Sequence, residues 1–154
     1  MSTSTIDGTV AEVVPGRRSR GIAVLKTIRF DLADGASRTV TKAIVKQEIA
    51  DELVPGAKGR FYLYNAFDMR GIHGLRTADG REIYGFPTNN QRLFLVLGIL
   101  NLIWVVTMLV LRGGIPLLGA AVLVLCAAGW YFLGRGQVEA KKQFDGDAGH
   151  RAPA

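Results

Sequence analysis

The sequence predicts an all-β N-terminal domain, built as a small antiparallel barrel, followed by a two-helix transmembrane hairpin. Three observations support this fold class. Turn-forming residues interrupt residues 1–86 at intervals of about eight to twelve positions, as in small barrels and sandwiches. Two later stretches of 19 residues carry no charge, and only three residues separate them. Finally, the mean hydropathy is +0.21 beside 21% charged residues, so the apolar residues and the charges must lie in different parts of the chain.

The N-terminal domain, residues 1–86, contains six segments in which apolar, β-branched and aromatic residues cluster between turn signals. Strands are predicted over 6–14, 22–32, 39–45, 60–67, 72–77 and 81–86. One short helical turn is predicted over 48–53. Asp79-Gly80 fits the turn of a hairpin between the last two strands. Because closing the sheet removes its exposed edges, we expect a closed barrel of OB-like or SH3-like type.

Residues 93–111 and 115–133 are predicted to be transmembrane helices. At 1.5 Å per residue each spans roughly 28 Å, close to the ~30 Å thickness of the hydrocarbon core. Fourteen of the first nineteen residues are Leu, Ile, Val or Phe, which favour membrane insertion. The alternative is a pair of buried helices in a soluble core, but such helices normally keep a polar face. Arg112-Gly113-Gly114 predicts a tight turn, so residues 93–133 form a hairpin.

The positions of the basic residues predict the orientation of this hairpin. Arg92 and Arg135 flank its outer ends, with Lys141 and Lys142 close behind, whereas Arg112 alone lies at its tip. The positive-inside rule therefore predicts a multi-pass protein of the bacterial inner membrane with both termini in the cytoplasm. The net charge of +6 then indicates the side of the membrane that the chain occupies more than it indicates nucleic-acid binding.

The remaining segments are polar. Residues 87–92 form a short linker, and residues 134–154 form a cytoplasmic polar tail that begins as a frayed helix and passes into disorder. Five prolines and a single cysteine argue against a collagen-like chain and a disulfide-rich secreted scaffold. A small barrel joined to membrane helices resembles the NfeD-type proteins in architecture, although in those proteins the helices precede the barrel.

His73 is the candidate for catalysis. It lies between glycines where a loop enters a strand, a position from which a histidine can act as a general base or bind a metal. The other histidine, His150, lies in the tail, and Cys126 lies within a predicted span. A zinc site needs three or four ligands, so the sequence predicts no metal and no cofactor. A structural histidine is favoured over a catalytic one.

A basic loop, defined as Arg17, Arg18 and Arg20, lies between the first two predicted strands. Together with the aromatic residues of segment 60–67 it could bind single-stranded nucleic acid, because such sites combine cations with stacking rings. It could instead contact anionic lipid headgroups, or it is a solvated loop. Strand alternation sends Phe61 and Tyr62 to opposite faces, so that one aromatic face is core. Nucleic acid is therefore the less favoured partner.

Helix–helix association is predicted from a polar residue and several small ones inside the spans. Asn101 lies ninth of nineteen in the first span, near the bilayer midplane, where an unpaired amide is costly. Gly119, Cys126 and Gly129 lie on the second span and allow close approach of another helix. The same residues could pair the two helices of one chain or helices of two copies.

The sequence therefore predicts a non-enzymatic integral membrane accessory or assembly protein. Its cytoplasmic β-domain would be presented to membrane or cytoplasmic protein partners, while the hairpin contacts membrane lipids and could support a homo-oligomer. Two alternatives stay open. One is a membrane-tethered nucleic-acid or anionic-lipid binding module that uses the loop 17–20, and the other is an enzyme centred on His73.

Overall fold

The computed structural model describes residues 1–19, 21–66 and 69–149. The chain divides into two compact units. The β unit contains Met1–Pro87 together with the chain from Glu139 onward, and the helical unit is Thr88–Val138. The helical unit is therefore inserted in the sequence between two parts of the β unit.

The N-terminal part of the β unit, Met1–Pro87, contains a seven-stranded sheet and a short helix, which confirms the predicted all-strand N-terminal domain. The strands are β1 (Ser2–Val14), β2 (Arg18–Ser19), β3 (Ile22–Leu32), β4 (Ser37–Lys46), β5 (Lys58–Ala66), β6 (Met69–Thr77) and β7 (Glu82–Tyr84). Helix α1 (Gln47–Glu52) lies between β4 and β5, where the sequence predicts a helical turn. Strand β2 is not among the predicted strands. It forms because Arg18 and Ser19 fold back onto Ala23 and Ile22 through Gly21, whose φ is +78°.

The pairing order of the sheet is β1-β5-β6-β4-β3-β2, and β7 pairs with β6. All neighbours are antiparallel except β4 and β6, which run parallel. Strand β1 pairs with β5 through its first half and with β3 through its second half. The path that starts at β1 and passes through β5, β6 and β4 to β3 therefore ends on a strand that again pairs with β1.

Alternating residues of the strands form one apolar core. In β3 the inward residues are Ala23 and Leu25, then Ile28 and Phe30, all of them buried. The rings of Phe30 and Phe61 lie 4.8 Å apart at its centre. The core also contains Ile6, Val10, Val40, Ala43, Val45, Ile49, Leu53, Leu63, Ile72 and Leu75.

The helical unit confirms the two predicted apolar helices. Helix α2 (Asn89–Arg112) and helix α3 (Leu117–Gly146) are both long and apolar enough to span a membrane. Only 6% and 11% of their most apolar windows are buried, which is unlike the core helices of soluble proteins. Gly113 ends α2 in the left-handed conformation with φ +67°, and its N–H donates to the carbonyl of Leu109.

Helix α3 continues well beyond the end of the predicted span. The sequence predicts a frayed polar tail from residue 134, whereas the structure has an unbroken helix to Gly146. The reason is a second apolar stripe in the polar segment. Ala140 and Phe144, one turn apart, are 0% and 6% exposed and pack in the β unit.

Candidate functional site

The face of the sheet opposite the core carries a second set of aromatic residues. On β5, Phe61 and Leu63 point into the core, while Tyr62 and Tyr64 point to the other face, as strand alternation requires. These two tyrosines are nevertheless only 0% and 2% exposed. Some other part of the β unit must therefore cover them.

His73 lies at the centre of this outer face because of a β-bulge in β6. Tyr62 pairs with Gly74 and Leu63 pairs with Ile72, which leaves His73 as the extra residue between them. Four rings surround its imidazole, with centroids at 6.0 to 6.3 Å. Together with the ring that covers them they form what we call the outer aromatic cluster: Tyr62, Tyr64, His73, Tyr84, Phe86 and Phe144.

The end of α3 covers the cluster. The Phe144 ring lies 5.0 Å from that of Tyr62 and 5.4 Å from that of Tyr84. Gly74 makes this contact possible, since a Cβ at that position would lie 2.5 Å from the Phe144 ring. At Gly71 a Cβ would collide with the carbonyl oxygen of Ile44 and would meet the Tyr64 ring at 2.8 Å. The glycines around His73 therefore serve packing.

The surroundings of His73 keep its ring neutral. Burial lowers its pKa from 6.5 to about 4, and an interaction with the Ala140 backbone opposes this shift only in part. Neither ring nitrogen has a hydrogen-bond partner of good geometry among the described residues. Since the side chain is 0% exposed, a substrate in solution cannot reach it in this conformation. No group of three His, Cys, Asp or Glu side chains is placed to hold a metal ion within the described ranges.

Two arginines attach the end of α3 to the sheet. Arg60 on β5 and Arg76 on β6 are cross-strand partners. The buried Arg76 guanidinium donates to the Phe144 carbonyl at 2.9 Å and to the Tyr62 hydroxyl at 3.1 Å, and it pairs with Glu82. It also lies 4.5 Å from the centroid of the Phe144 ring. The Phe144 carbonyl is among the last four of α3, which no intrahelical N–H can satisfy, so Arg76 caps the helix.

Arg60 links β1 to the residue that directly follows α3. It donates two hydrogen bonds of 2.6 Å to the carboxylate of Asp7 and one of 3.0 Å to that of Asp147. The Asp7 hydrogen bond is the largest of the effects that raise the Arg60 pKa further above its usual range. Neither arginine is among the residues predicted to be functional from the sequence. The available signal was an arginine within each of two strands whose other residues are mostly apolar, aromatic or glycine.

The described residues of the basic loop, Arg17 and Arg18, do not form one cluster with the aromatic residues. Arg17 precedes β2 and is exposed, and its carbonyl accepts the N–H of Val24 at 2.8 Å. Arg18 lies within β2 and forms an ion pair with Asp51 at 3.3 Å. Arg20 lies outside the described residues. The aromatic side chains that a nucleic-acid platform would need, Phe61 and Tyr62, are fully buried.

The four residues predicted to support helix association lie between α2 and α3 of the same chain. The Asn101 amide donates to the Gly119 carbonyl at 2.8 Å. A Cβ at Gly119 would lie 2.6 Å from Val105, and one at Gly129 would lie 2.9 Å from Phe94. Cys126 is buried, and its Cβ lies 3.4 Å from the position of a Cβ at Gly98. Close approach of the helices therefore depends on glycine on both sides.

Comparison of the chain with protein-family models, with curated proteins and with solved structures finds no match.

Proposed function

We propose that this chain is a non-enzymatic integral membrane protein that presents its β unit to protein partners on one side of a bilayer. The observation that carries the proposal is the contact of Arg76 with the Phe144 carbonyl, across 68 residues of sequence. It means that the chain leaves the β unit before α2 and returns to it in the last turns of α3. A pair of membrane spans satisfies this requirement, because it brings the chain back to its starting side.

Exposed apolar surface supports the membrane assignment. Val110, Leu111, Leu117 and Leu118 are 73 to 87% exposed, and most of the other large apolar residues of both helices are more than two-fifths exposed. Soluble monomers rarely expose contiguous apolar patches of more than a few hundred Å². A hydrocarbon environment removes this surface from water without any further protein contact. The basic residues at the outer ends of the hairpin favour the bacterial inner membrane with both termini in the cytoplasm.

The strand pairing supports an OB-like barrel for the β unit. Five strands follow one another in the order β1, β5, β6, β4, β3, and the last pairs with the first. A five-stranded path of this kind is typical of OB-like barrels, which are used widely for binding and are not tied to one reaction. Strand β7 and the end of α3 lie outside this path, on the face that carries the outer aromatic cluster.

Burial of the outer aromatic cluster argues against catalysis at this face. His73 is enclosed, and its neighbours are held by packing and by the Arg76 cap rather than aimed at an open site. The same burial removes stacking surface from the nucleic-acid alternative. Arg18, which belongs to the basic loop, is already paired with Asp51, so the loop offers less free charge than its sequence suggests.

Cysteine labelling tests the membrane assignment. In a Cys126→Ser background, single cysteines are placed at Gly114, in the tip of the hairpin, and at Thr41, which is exposed on β4. In intact cells we expect a membrane-impermeant maleimide to label Gly114→Cys and to label Thr41→Cys only after lysis. Recovery of the protein in the soluble fraction, or labelling of Thr41→Cys in intact cells, would contradict the proposal.

Site-specific crosslinking tests the partner assignment. A photo-crosslinking residue at Thr41 or Glu12, both exposed on the β unit, should give a discrete protein adduct in growing cells. The same residue at Gly114 should not give that adduct. His73→Phe should leave the adduct unchanged, because the imidazole serves packing. If His73→Phe abolishes a cellular phenotype while the β unit stays folded, an enzyme is the better interpretation.

A further inference from the structure

One end of the β unit contains an open polar cavity. It has a volume of about 460 Å³, within the range of ~300–1,000 Å³ typical of small-molecule sites. Leu63 and Tyr64 of β5 form part of its buried floor, while exposed and half-buried polar side chains form most of its walls. The cavity lies away from the outer aromatic cluster except at Tyr64, which contributes to both.

Strand register explains why polar groups meet there. Ser2 on β1 pairs with Asn65 on β5, and Asn65 in turn pairs with Arg70 on β6, so these three form one row across the sheet. Arg38 comes from the start of β4 and reaches the first strand, where its guanidinium lies 3.5 Å from the hydroxyl of Ser4. Four different strands therefore contribute to the walls.

The described lining of the cavity carries positive charge. The described residues that line it include two arginines, Arg38 and Arg70, and no Asp or Glu. Most other arginines of the β unit have carboxylate partners, as the ion pairs of Arg18, Arg29, Arg60, Arg76 and Arg81 show. Within the described ranges neither Arg38 nor Arg70 has one. Among the described residues, no carboxylate competes with an anion for these two guanidinium groups.

We propose that this cavity binds a phosphomonoester group carried by a small organic molecule. Two guanidinium groups match the charge of ~−1.5 to −2 that a phosphomonoester carries at pH 7, whereas a carboxylate or a phosphodiester carries a single charge. Guanidinium groups bind phosphate oxygens in pairs, and the hydroxyl of Ser4 and the amide of Asn65 can add neutral hydrogen bonds. The volume leaves room for an organic group beside the phosphate. The inference goes beyond the proposed role of the β unit in partner binding and does not depend on it.

Calorimetric titration of the full-length protein in uncharged detergent with glycerol 3-phosphate tests the site. We expect saturable binding that becomes about tenfold or more weaker in Arg38→Gln and in Arg70→Gln, because each variant removes a charge-assisted contact. Arg17→Gln is the matched control, since Arg17 is exposed and does not line the cavity. Arg70→Lys keeps the charge without the paired donors and should show an intermediate loss.

Two competition experiments identify the source of the phosphate group. Phosphatidic acid added to the micelles should displace glycerol 3-phosphate if the ligand is a lipid headgroup, and phosphatidylcholine should not. If neither lipid displaces it, the ligand is a soluble phosphate ester. Absence of binding by both glycerol 3-phosphate and phosphatidic acid would overturn the proposal. So would equal weakening in Arg17→Gln, or unchanged affinity in folded Arg38→Gln and Arg70→Gln.

Discussion

The stability of the β unit should depend on pH through His73, because the imidazole of this residue is buried among aromatic rings. The pKa is about 4 in the folded protein against 6.5 for an ordinary histidine. Between these two pH values the unfolded chain takes up a proton that the folded chain does not. The free energy of unfolding should therefore be unaffected by this group above pH 6.5 and fall as the pH decreases toward 4, by about 3 kcal/mol in total.

Thermal unfolding followed by circular dichroism, in a detergent that keeps the helices folded, measures this effect. Other groups also titrate in this range, so the comparison is between the wild type and His73→Phe at each pH. We expect the difference between the two proteins to grow as the pH decreases, with the variant more stable in acid. Parallel pH profiles would show that the imidazole is not buried in its neutral form.

Arg76 joins the sheet to the end of α3, and its loss should release that end. In Arg76→Met the Phe144 carbonyl loses its cap, with an expected cost of about 2 kcal/mol. Trypsin should then cleave after the exposed Lys141 and Lys142 several-fold faster than in the wild type. Arg81→Met is the control, because its ion pairs with Asp79 and Glu52 are exposed and do not involve α3. Equal cleavage in both variants would contradict this role of Arg76.

A disulfide between the two apolar helices would test whether α2 and α3 of the same chain pack against each other. The Cβ of Cys126 lies 3.4 Å from where a Cβ at Gly98 would lie, close to the ~3.5–4.5 Å found in disulfides. Mild oxidation of Gly98→Cys should therefore form a disulfide within one chain, visible as loss of both free thiols without a covalent dimer. Leu100→Cys, at a position that is 59% exposed, should not react in this way. A disulfide-linked dimer from Gly98→Cys would instead indicate pairing between copies.

The strands and the two apolar helices were largely predictable because each follows a local pattern. Alternation in 22–32 and the uncharged runs of 93–111 and 115–133 need no knowledge of distant residues. The end of α3 was not predictable in this way. Ala140 and Phe144 lie in a polar segment whose helix is stabilised by contacts with strands more than 60 residues earlier in the sequence.

The candidate site was less predictable than the elements. The position of His73 between glycines was visible, but the bulge that turns its side chain outward depends on the register between β5 and β6. The cavity likewise joins Ser4, Arg38 and Arg70, which lie on three strands that only the sheet brings together. Pairing register is a property of the folded sheet, and a shift of one residue would move every side chain of a strand to the opposite face.

The β unit depends on residues that follow the helical unit in the sequence. Ending the chain before Glu139 removes Ala140, Phe144 and the Asp147 carboxylate, and so uncovers Tyr62 and Tyr84. We expect this truncated protein to bind a hydrophobic dye and to unfold at a lower temperature. Removing only residues 150–154 leaves every described contact in place and is the control. Equal stability of the two truncated proteins would contradict this dependence.

The contact between Arg76 and Phe144 also constrains the order of events during synthesis. The 68 residues that separate them take roughly 3 to 14 seconds to translate at ~5–20 residues per second. During that interval both apolar helices leave the ribosome, while the aromatic side of β5 and β6 has no cover. The β unit can thus be completed only after both apolar helices have been synthesised, so its folding cannot finish before that of the preceding chain has begun.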